Sequence, residues 1–100
     1  MLINKVLITN DDGYNSFGIK LLSDILKQYV NEIYIVAPRN NRSGSSRSIS
    51  LKEEIKFEKI ASTSWIVDGT PTDCVIFALN YIFKKKKPDY IFSGINVGTN

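Results

Sequence analysis

Two adjacent aspartates are the first residues of this sequence whose type and spacing could do chemistry. Asp11 and Asp12 follow a short apolar stretch at residues 6–9 and precede Gly13. An apolar, β-branched stretch of this length predicts a buried strand, and open parallel sheets bind ligands beyond the carboxyl ends of their strands. Because neighbouring carboxylates repel each other, the pair favours a divalent cation as its partner. The alternative is that one aspartate caps the following helix and the other is solvated.

Two later loops bring further oxygen donors and a candidate anion site. Residues 39–48 contain three arginines, four serines and one glycine, and they follow a predicted strand at residues 32–37. Backbone donors and guanidinium groups of this kind suit a phosphate or another oxyanion, with a solvated connection as the alternative. Residues 93–100, which include Asn96, follow a predicted strand at residues 89–92. In a parallel sheet both loops meet the two aspartates at one edge.

The donor types at this edge indicate the kind of cation and the kind of reaction. Carboxylate, hydroxyl and amide oxygens without histidine or cysteine favour Mg2+, Mn2+ or Ca2+ over a structural zinc ion. The sequence contains no histidine, so a histidine nucleophile, base or ligand from these residues is excluded. A cation that faces a phosphate-binding loop predicts hydrolysis of a phosphoric ester, because the ion polarises the phosphoryl oxygen and lowers the pKa of an attacking water.

The elements that must position these residues alternate between strand and helix. After Gly13, either Asn15 or Ser16 can cap a helix, and this helix joins the first two strands in a right-handed parallel crossover. The helix is predicted to pack one apolar stripe on the sheet. That stripe consists of Leu21, Leu22, Ile25, Leu26 and Tyr29. The patterns at residues 55–58 and 65–67 predict a hairpin at the edge of the sheet.

A second helix has a well-marked start. Thr70 stands at the N-cap, Pro71 at the first helical position and Asp73 at the third. Residues 74–83 are apolar on nearly every side. This predicts a helix buried between the sheet and another layer or subunit, with Cys74 in the core.

Composition limits the partners and the location of the protein. One hundred residues predict a single domain at residues 1–100, and 43% hydrophobic residues are typical of a folded protein. The net charge is +3, and four of the thirteen basic residues are the lysines at 84–87. These lysines complement the end of the second helix before Pro88, so we expect no specific nucleic-acid partner. We expect a cytoplasmic protein without a membrane partner. The sequence has a single cysteine, its first apolar run is too short for a signal peptide, and it has no apolar stretch of membrane-spanning length.

Four motifs stand in order along the whole sequence: VLITNDDG at residues 6–13, VAP at residues 36–38 with RSGS at residues 42–45, GTPTDCV at residues 69–75 and SGINVGTN at residues 93–100. Together they closely resemble the SurE family of survival proteins, which are 5'/3'-nucleotidases. The resemblance implies a Rossmann-like three-layer α/β fold with a mainly parallel sheet, of which this chain is the N-terminal portion.

The resemblance also implies an activity and a site. The family hydrolyses nucleoside 5'- and 3'-monophosphates, and often short polyphosphate, with one divalent cation, for which we expect Mg2+ or Mn2+. Its members assemble into homodimers or homotetramers. Carried over residue by residue, the metal ligands are Asp11, Asp12, Ser43 and Asn96. The residues expected to contact the substrate are Gly44, Ser45 and Asn100. We expect Asp11 to be the catalytic residue that orients the attacking water.

The sequence departs from the family pattern in three respects. Ser16-Phe17 replaces the small residue and proline that usually precede Gly18, which affects the start of the helix. Arg39-Asn40 replaces the usual Asp-Arg pair, which affects substrate preference. Family members also continue with a Ser-Gly-Thr motif and with arms used in oligomerisation, so the expected domain is truncated at its C-terminal end.

Other classes of protein remain as alternatives. A non-catalytic metal- or phosphate-binding module, or an inactive fragment, would have the same ligands. A receiver-type signalling domain also has paired acids after its first strand, but it needs a phosphoacceptor aspartate after the third strand. Haloacid-dehalogenase-type phosphatases have two aspartates separated by one residue, whereas Asp11 and Asp12 are adjacent. Tyrosine phosphatases need a cysteine in an anion loop, and Cys74 falls in an apolar helix.

Overall fold

Strands and helices alternate along the chain, as the apolar pattern predicts. A computed structural model describes residues 3–39 and 55–93. The strands are β1 (Ile3–Thr9), β2 (Val30–Pro38), β3 (Phe57–Ala61), β4 (Ser64–Val67) and β5 (Tyr90–Ser93). The helices are α1 (Phe17–Leu26) and α2 (Pro71–Phe77), and a π-helical turn at Ala78–Ile82 follows α2. Within these two ranges, no helix has the length and apolar character needed to cross a bilayer.

The described strands form one sheet in the order β3-β4-β2-β1-β5. β4, β2, β1 and β5 run parallel to one another, and β3 is antiparallel to β4. Near the carboxyl end of β1, Ile8 is paired with Ile35 of β2 on one side and with Phe92 of β5 on the other. The predicted α/β class with a mainly parallel sheet is therefore confirmed. The predicted hairpin is β3-β4, and because β4 extends the parallel sheet beside β2, only β3 is an antiparallel edge strand.

The core lies on both faces of the sheet, and β1 contributes to each half. Val6 and Ile8 belong to the apolar cluster that α1 covers. Leu7 points to the other face and belongs to the cluster that α2 covers, with Trp65 and Cys74. A strand buried on both faces is continuously apolar rather than alternating, which explains the composition of β1. Cys74 is fully buried, so its predicted place in the core is confirmed.

Helix α1 packs a narrower stripe on the sheet than the sequence predicts. Its buried apolar residues are Ile19 and Leu26, and Leu22 packs against the same cluster. Leu21, Ile25 and Tyr29, in contrast, are exposed. The predicted stripe was too wide because it joined two neighbouring rows of the helix, and only the row at 19, 22 and 26 faces the strands.

Helix α2 begins with a complete capping box. The Thr70 hydroxyl accepts a hydrogen bond from the Asp73 N–H at 3.1 Å, and the Asp73 carboxylate accepts one from the Thr70 N–H at 2.9 Å. The preceding residue must be small, because a Cβ at Gly69 would collide with the Asp73 side chain. The predicted helix start at Thr70, Pro71 and Asp73 is confirmed, and its reason is the pairing of otherwise orphan N–H groups.

The rest of the second helix differs from the prediction for residues 74–83. The α-helix ends at Phe77 and continues as the π-helical turn Ala78–Ile82. Phe83 is buried, but Tyr81 is 53% exposed. In the described residues the sheet covers only the inner side of this segment, and the cover of its outer side by another layer or subunit stays a prediction.

We predict that Thr70→Ala lowers the free energy of unfolding by about 1 kcal/mol, the usual effect of losing an N-cap hydroxyl. Urea denaturation followed by circular dichroism measures the change. The matched control is Thr72→Ala, which removes an exposed hydroxyl two residues later. Equal stability of the two variants would contradict the structural role of the capping box.

Candidate metal and phosphate site

Asp11 and Asp12 lie where the sequence analysis predicts, directly beyond the carboxyl end of β1. Both are partly exposed, in the turn between β1 and α1. β1 lies between β2 and β5, so this turn faces the carboxyl ends of two neighbouring parallel strands. A ligand at this edge therefore meets the acidic turn of β1 and whatever follows β2 and β5.

The buried side chain of Asn10 holds the acidic turn in shape. Its Nδ2 donates to the Gly13 carbonyl at 3.1 Å and to the Ser16 hydroxyl at 2.7 Å, and its Oδ1 accepts from the Gly13 N–H at 3.2 Å. Gly13 has a φ of 108°, in the left-handed region that glycine adopts most easily. The turn that carries Asp11 and Asp12 is therefore fixed at both ends.

Ser16 connects this turn to α1. Its hydroxyl accepts from the Ile19 N–H at 3.4 Å while it receives the Asn10 amide, so Ser16 is the N-cap. Of the two predicted capping residues, Asn15 and Ser16, the second is confirmed. The departure at Ser16-Phe17 thus leaves a properly capped helix.

Asn10 is not among the site residues predicted from the sequence. The signal that could have found it is an asparagine at the end of a buried strand, three residues before a glycine, because asparagine side chains hydrogen-bond the backbone of the turn that follows them.

Strand β2 is tied to the same turn. The Tyr14 N–H donates to the Pro38 carbonyl at 2.8 Å, which joins the turn to the last residue of β2. On the other side, Thr9 pairs with Ser93, the last residue of β5. Both neighbouring strands thus end beside the acidic turn. The two loops that are predicted to complete the site start at these strand ends.

Arg39 is bound by two carboxylates of the chain and is therefore not available to a phosphate. Its Nε donates to Asp68 at 2.6 Å and its Nη2 to Glu58 at 3.2 Å. Hydrogen bonds with these two carboxylates raise the pKa of Arg39 above its ordinary value, and the bond with Asp68 has the larger effect. The predicted contribution of Arg39 to a phosphate site is therefore wrong, because its guanidinium group already binds two carboxylates at the β3-β4 edge.

The other predicted site residues lie outside the described residues. These are Ser43, Gly44, Ser45, Asn96 and Asn100. Within residues 3–39 and 55–93, no group of three or more histidine, cysteine, aspartate or glutamate side chains gathers to hold a metal. The aspartate pair alone matches the oxygen chemistry that a hard cation requires, and serine and asparagine oxygens are the further donors that the prediction adds.

Cys74 does not serve as a nucleophile. Burial raises the pKa of its thiol to about 12, so the thiol stays protonated and neutral near pH 7. This removes the tyrosine-phosphatase alternative. The receiver-type alternative needs a phosphoacceptor aspartate beside the acidic pair. Asp68 follows β4, the third parallel strand along the chain, but its carboxylate accepts a hydrogen bond from Arg39, and β4 lies beside β2 and not beside β1. β5, which does lie beside β1, ends in Ser93.

A cavity of about 330 Å3 lies elsewhere, against α1, β2 and the start of β4. Its lining includes Ser23, Lys27 and Asn31 but no carboxylate. We assign no chemistry to it, since it shares no residue with the acidic turn.

The fold and the acidic turn define a class of protein. It is an α/β domain with a mainly parallel sheet and a carboxylate pair beyond the carboxyl end of an inner strand. Residues 6–100 match the family model described as "Survival protein SurE", and the chain belongs to the SurE family.

Individual relatives agree with this assignment. The chain is 48% identical over 97 residues to the protein named 5'-nucleotidase SurE of Wolbachia pipientis wMel, a match that covers 95% of this chain and 38% of the relative. It is 48% identical over 96 residues to the one of Vibrio parahaemolyticus serotype O3:K6, covering 96% of this chain and 37% of the relative.

A solved structure supports the fold. The crystal structure of the Sure protein from Aquifex aeolicus matches with a TM-score of 0.86 and 43% identity, over 96% of this chain and 39% of that chain. The Rossmann-like α/β fold is therefore confirmed. The chain spans a little under two fifths of the length of the curated relatives it matches.

We predict that Asn10→Ala lowers the free energy of unfolding by about 2 to 3 kcal/mol, because the buried N–H and carbonyl of Gly13 lose their partner. Urea denaturation measures it, and Asn31→Ala, at an exposed asparagine, is the control. A loss no larger than that of the control would show that the turn does not depend on Asn10.

Proposed function

We propose that this chain carries the metal-binding part of a phosphomonoesterase that hydrolyses nucleoside 5'- and 3'-monophosphates to nucleoside and phosphate. The observation that carries the proposal is the carboxylate pair on the Asn10-held turn beyond β1. The relatives named 5'-nucleotidase SurE support the nucleotidase class. Activity on the 3' position and on short polyphosphate rests on the family resemblance.

Four oxygen ligands would hold one divalent cation, Mg2+ or Mn2+. They are Asp11, Asp12, Ser43 and Asn96. When bound, the ion supplies polarisation of the phosphoryl oxygen and a lower pKa for an attacking water. Gly44, Ser45 and Asn100 would receive the phosphate group, since backbone N–H groups beside a glycine and polar side chains suit an oxyanion.

The residues of this chain have different proposed roles in the reaction. Asp11 is the group proposed to orient the attacking water, by accepting a hydrogen bond from it. Asn10 positions the aspartates and does not touch the substrate. We propose that water attacks phosphorus directly, since residues 1–100 offer neither a histidine nor a reactive thiol, Cys74 being buried and neutral. The bond that breaks joins phosphorus to the ester oxygen, and the nucleoside leaves as an alcohol.

The remaining proposals concern the surroundings of the site. We treat residues 1–100 as a single domain of a longer polypeptide that works in the cytoplasm as a homodimer or homotetramer. The apolar side chains exposed on the described surface support association, and they include Tyr81, Tyr90 and Ile91.

The metal site is tested by Asp11→Asn, which replaces a charged ligand with a neutral one of the same shape. We expect Mn2+ affinity to fall at least roughly tenfold, because the charge of the ligands sets affinity at such sites. Isothermal titration calorimetry measures the affinity, and release of phosphate from nucleoside monophosphates measures activity. Asp24→Asn, an exposed carboxylate on α1, is the matched control. Unchanged Mn2+ affinity in Asp11→Asn would refute the ligand assignment.

A second prediction concerns residues 1–100 expressed alone. We expect poor activity on nucleoside monophosphates with Mn2+, because family members supply a Ser-Gly-Thr motif from later sequence. We also expect association, because the outer side of the segment after Thr70 is partly exposed and apolar. Light scattering and a phosphate-release assay measure the two properties. A monodisperse monomer with the turnover of a full-length relative would overturn both expectations.

A further inference from the structure

A basic cavity lies far from the acidic turn, on the face of the sheet that α2 covers. Its volume is about 260 Å3. The lining residues that matter here are the lysines and tyrosines, Lys5, Lys84, Lys85, Lys86, Tyr34 and Tyr81. Lys5 is near the amino end of β1, six residues before Asp11, which is roughly 20 Å along an extended strand. The cavity is therefore separate from the proposed metal site.

The charge of this cavity is strongly one-sided. Its lining contains four lysines and no carboxylate. One acid lies close by, since a Glu32 oxygen is 3.9 Å from the Lys5 ammonium and accepts a hydrogen bond from the Tyr34 hydroxyl at 2.9 Å. A second, Asp89, accepts the backbone N–H groups of Asn4 and Lys5. Four cations around one cavity repel one another, and a bound anion would relieve that repulsion.

The end of the second helix does not account for this grouping. A helix dipole favours cations at its C-terminal end, and this accounts for lysines that directly follow the C-cap Phe83 but not for Lys5. Lys5 comes from a strand, yet it faces the same space as the lysines that follow Phe83. The turn that brings them there is π-helical, a conformation that is frequent at functional sites.

We propose that this cavity binds a compact anion with two or more phosphate groups, such as pyrophosphate or the phosphate chain of a nucleoside diphosphate, without a metal ion. The volume is below the roughly 300 to 1,000 Å3 of pockets that enclose drug-sized ligands, so it fits a short phosphate chain and not a whole nucleotide. Lysine binds phosphate as a point charge, and four such charges match an anion of several charges better than orthophosphate.

The test is calorimetric titration of the protein with inorganic pyrophosphate in the presence of a chelator, which removes divalent cations. The cavity variant combines Lys84→Gln, Lys85→Gln and Lys86→Gln. The control combines Lys20→Gln, Lys27→Gln and Lys56→Gln. These substitutions replace three exposed lysines elsewhere and so remove the same amount of charge. We expect the cavity variant to weaken binding roughly tenfold and the control less than about twofold, because screened charges act mainly at short range. Equal effects, or no binding to the unmodified protein, would overturn the proposal.

A variant with the opposite sign sharpens the test. Glu32→Gln keeps an acceptor for the Tyr34 hydroxyl but removes the competing negative charge, so we expect pyrophosphate to bind roughly two to three times more tightly. Weaker binding by this variant would count against the site.

Location and ligand class are tested separately. On adding pyrophosphate, backbone NMR shifts should appear at Lys5, Tyr34 and Phe83, and shifts confined to residues 10–14 would overturn the location. Orthophosphate binding as tight as pyrophosphate would overturn the ligand class. Comparing the affinity for pyrophosphate with that for a nucleoside diphosphate distinguishes the two possible sources of the phosphate chain. Asp11→Asn should leave pyrophosphate binding at the basic cavity unchanged. The test of this cavity is therefore independent of the test of the proposed nucleotidase activity.

Discussion

The hydrogen bonds of the buried Asn10 carboxamide are the constraint on which the acidic edge depends. Two adjacent carboxylates repel, and a flexible loop would let them separate. Here one side chain fixes the N–H and the carbonyl of Gly13 and also donates to Ser16, which caps α1. The end of β1, the turn and the start of the helix are thereby one rigid unit. A ligand at this edge meets aspartates whose backbone needs little further ordering.

The neighbouring strand ends are satisfied by polar groups in a similar way. Arg39 joins β2 to Asp68 beyond β4 and to Glu58 on β3. Two residues after Asp68, the Thr70 backbone N–H and hydroxyl enter the capping box of α2. Short polar contacts therefore line the carboxyl edge of the sheet, and the apolar clusters on its two faces hold the strands in place.

Sequence patterns predicted those parts of the fold in which each residue has one dominant preference. The apolar run of β1, the N-cap at Thr70 and the Asp-Asp turn are examples. Patterns failed where geometry decides between similar residues. Ile25 and Leu26 are equally apolar, and only the angle of α1 on the sheet leaves the first exposed and the second buried. The π-helical turn after Phe77 has no signal in local propensity. Ser43 and Asn96 lie outside the described residues, so their part of the site stays a prediction.

The position of β1 in the sheet has a consequence for the order of folding. Its first partner, β2, follows after one helix, but its other partner, β5, comes from the far end of the described chain, with Val6 paired to Tyr90. At a synthesis rate of roughly 5 to 20 residues per second, one edge of β1 stays unpaired on the ribosome for several seconds. During that time an apolar inner strand behaves as an open edge that other chains can pair with. Closure by such a distant segment is also slow, because the loop entropy is lost before the contacts form.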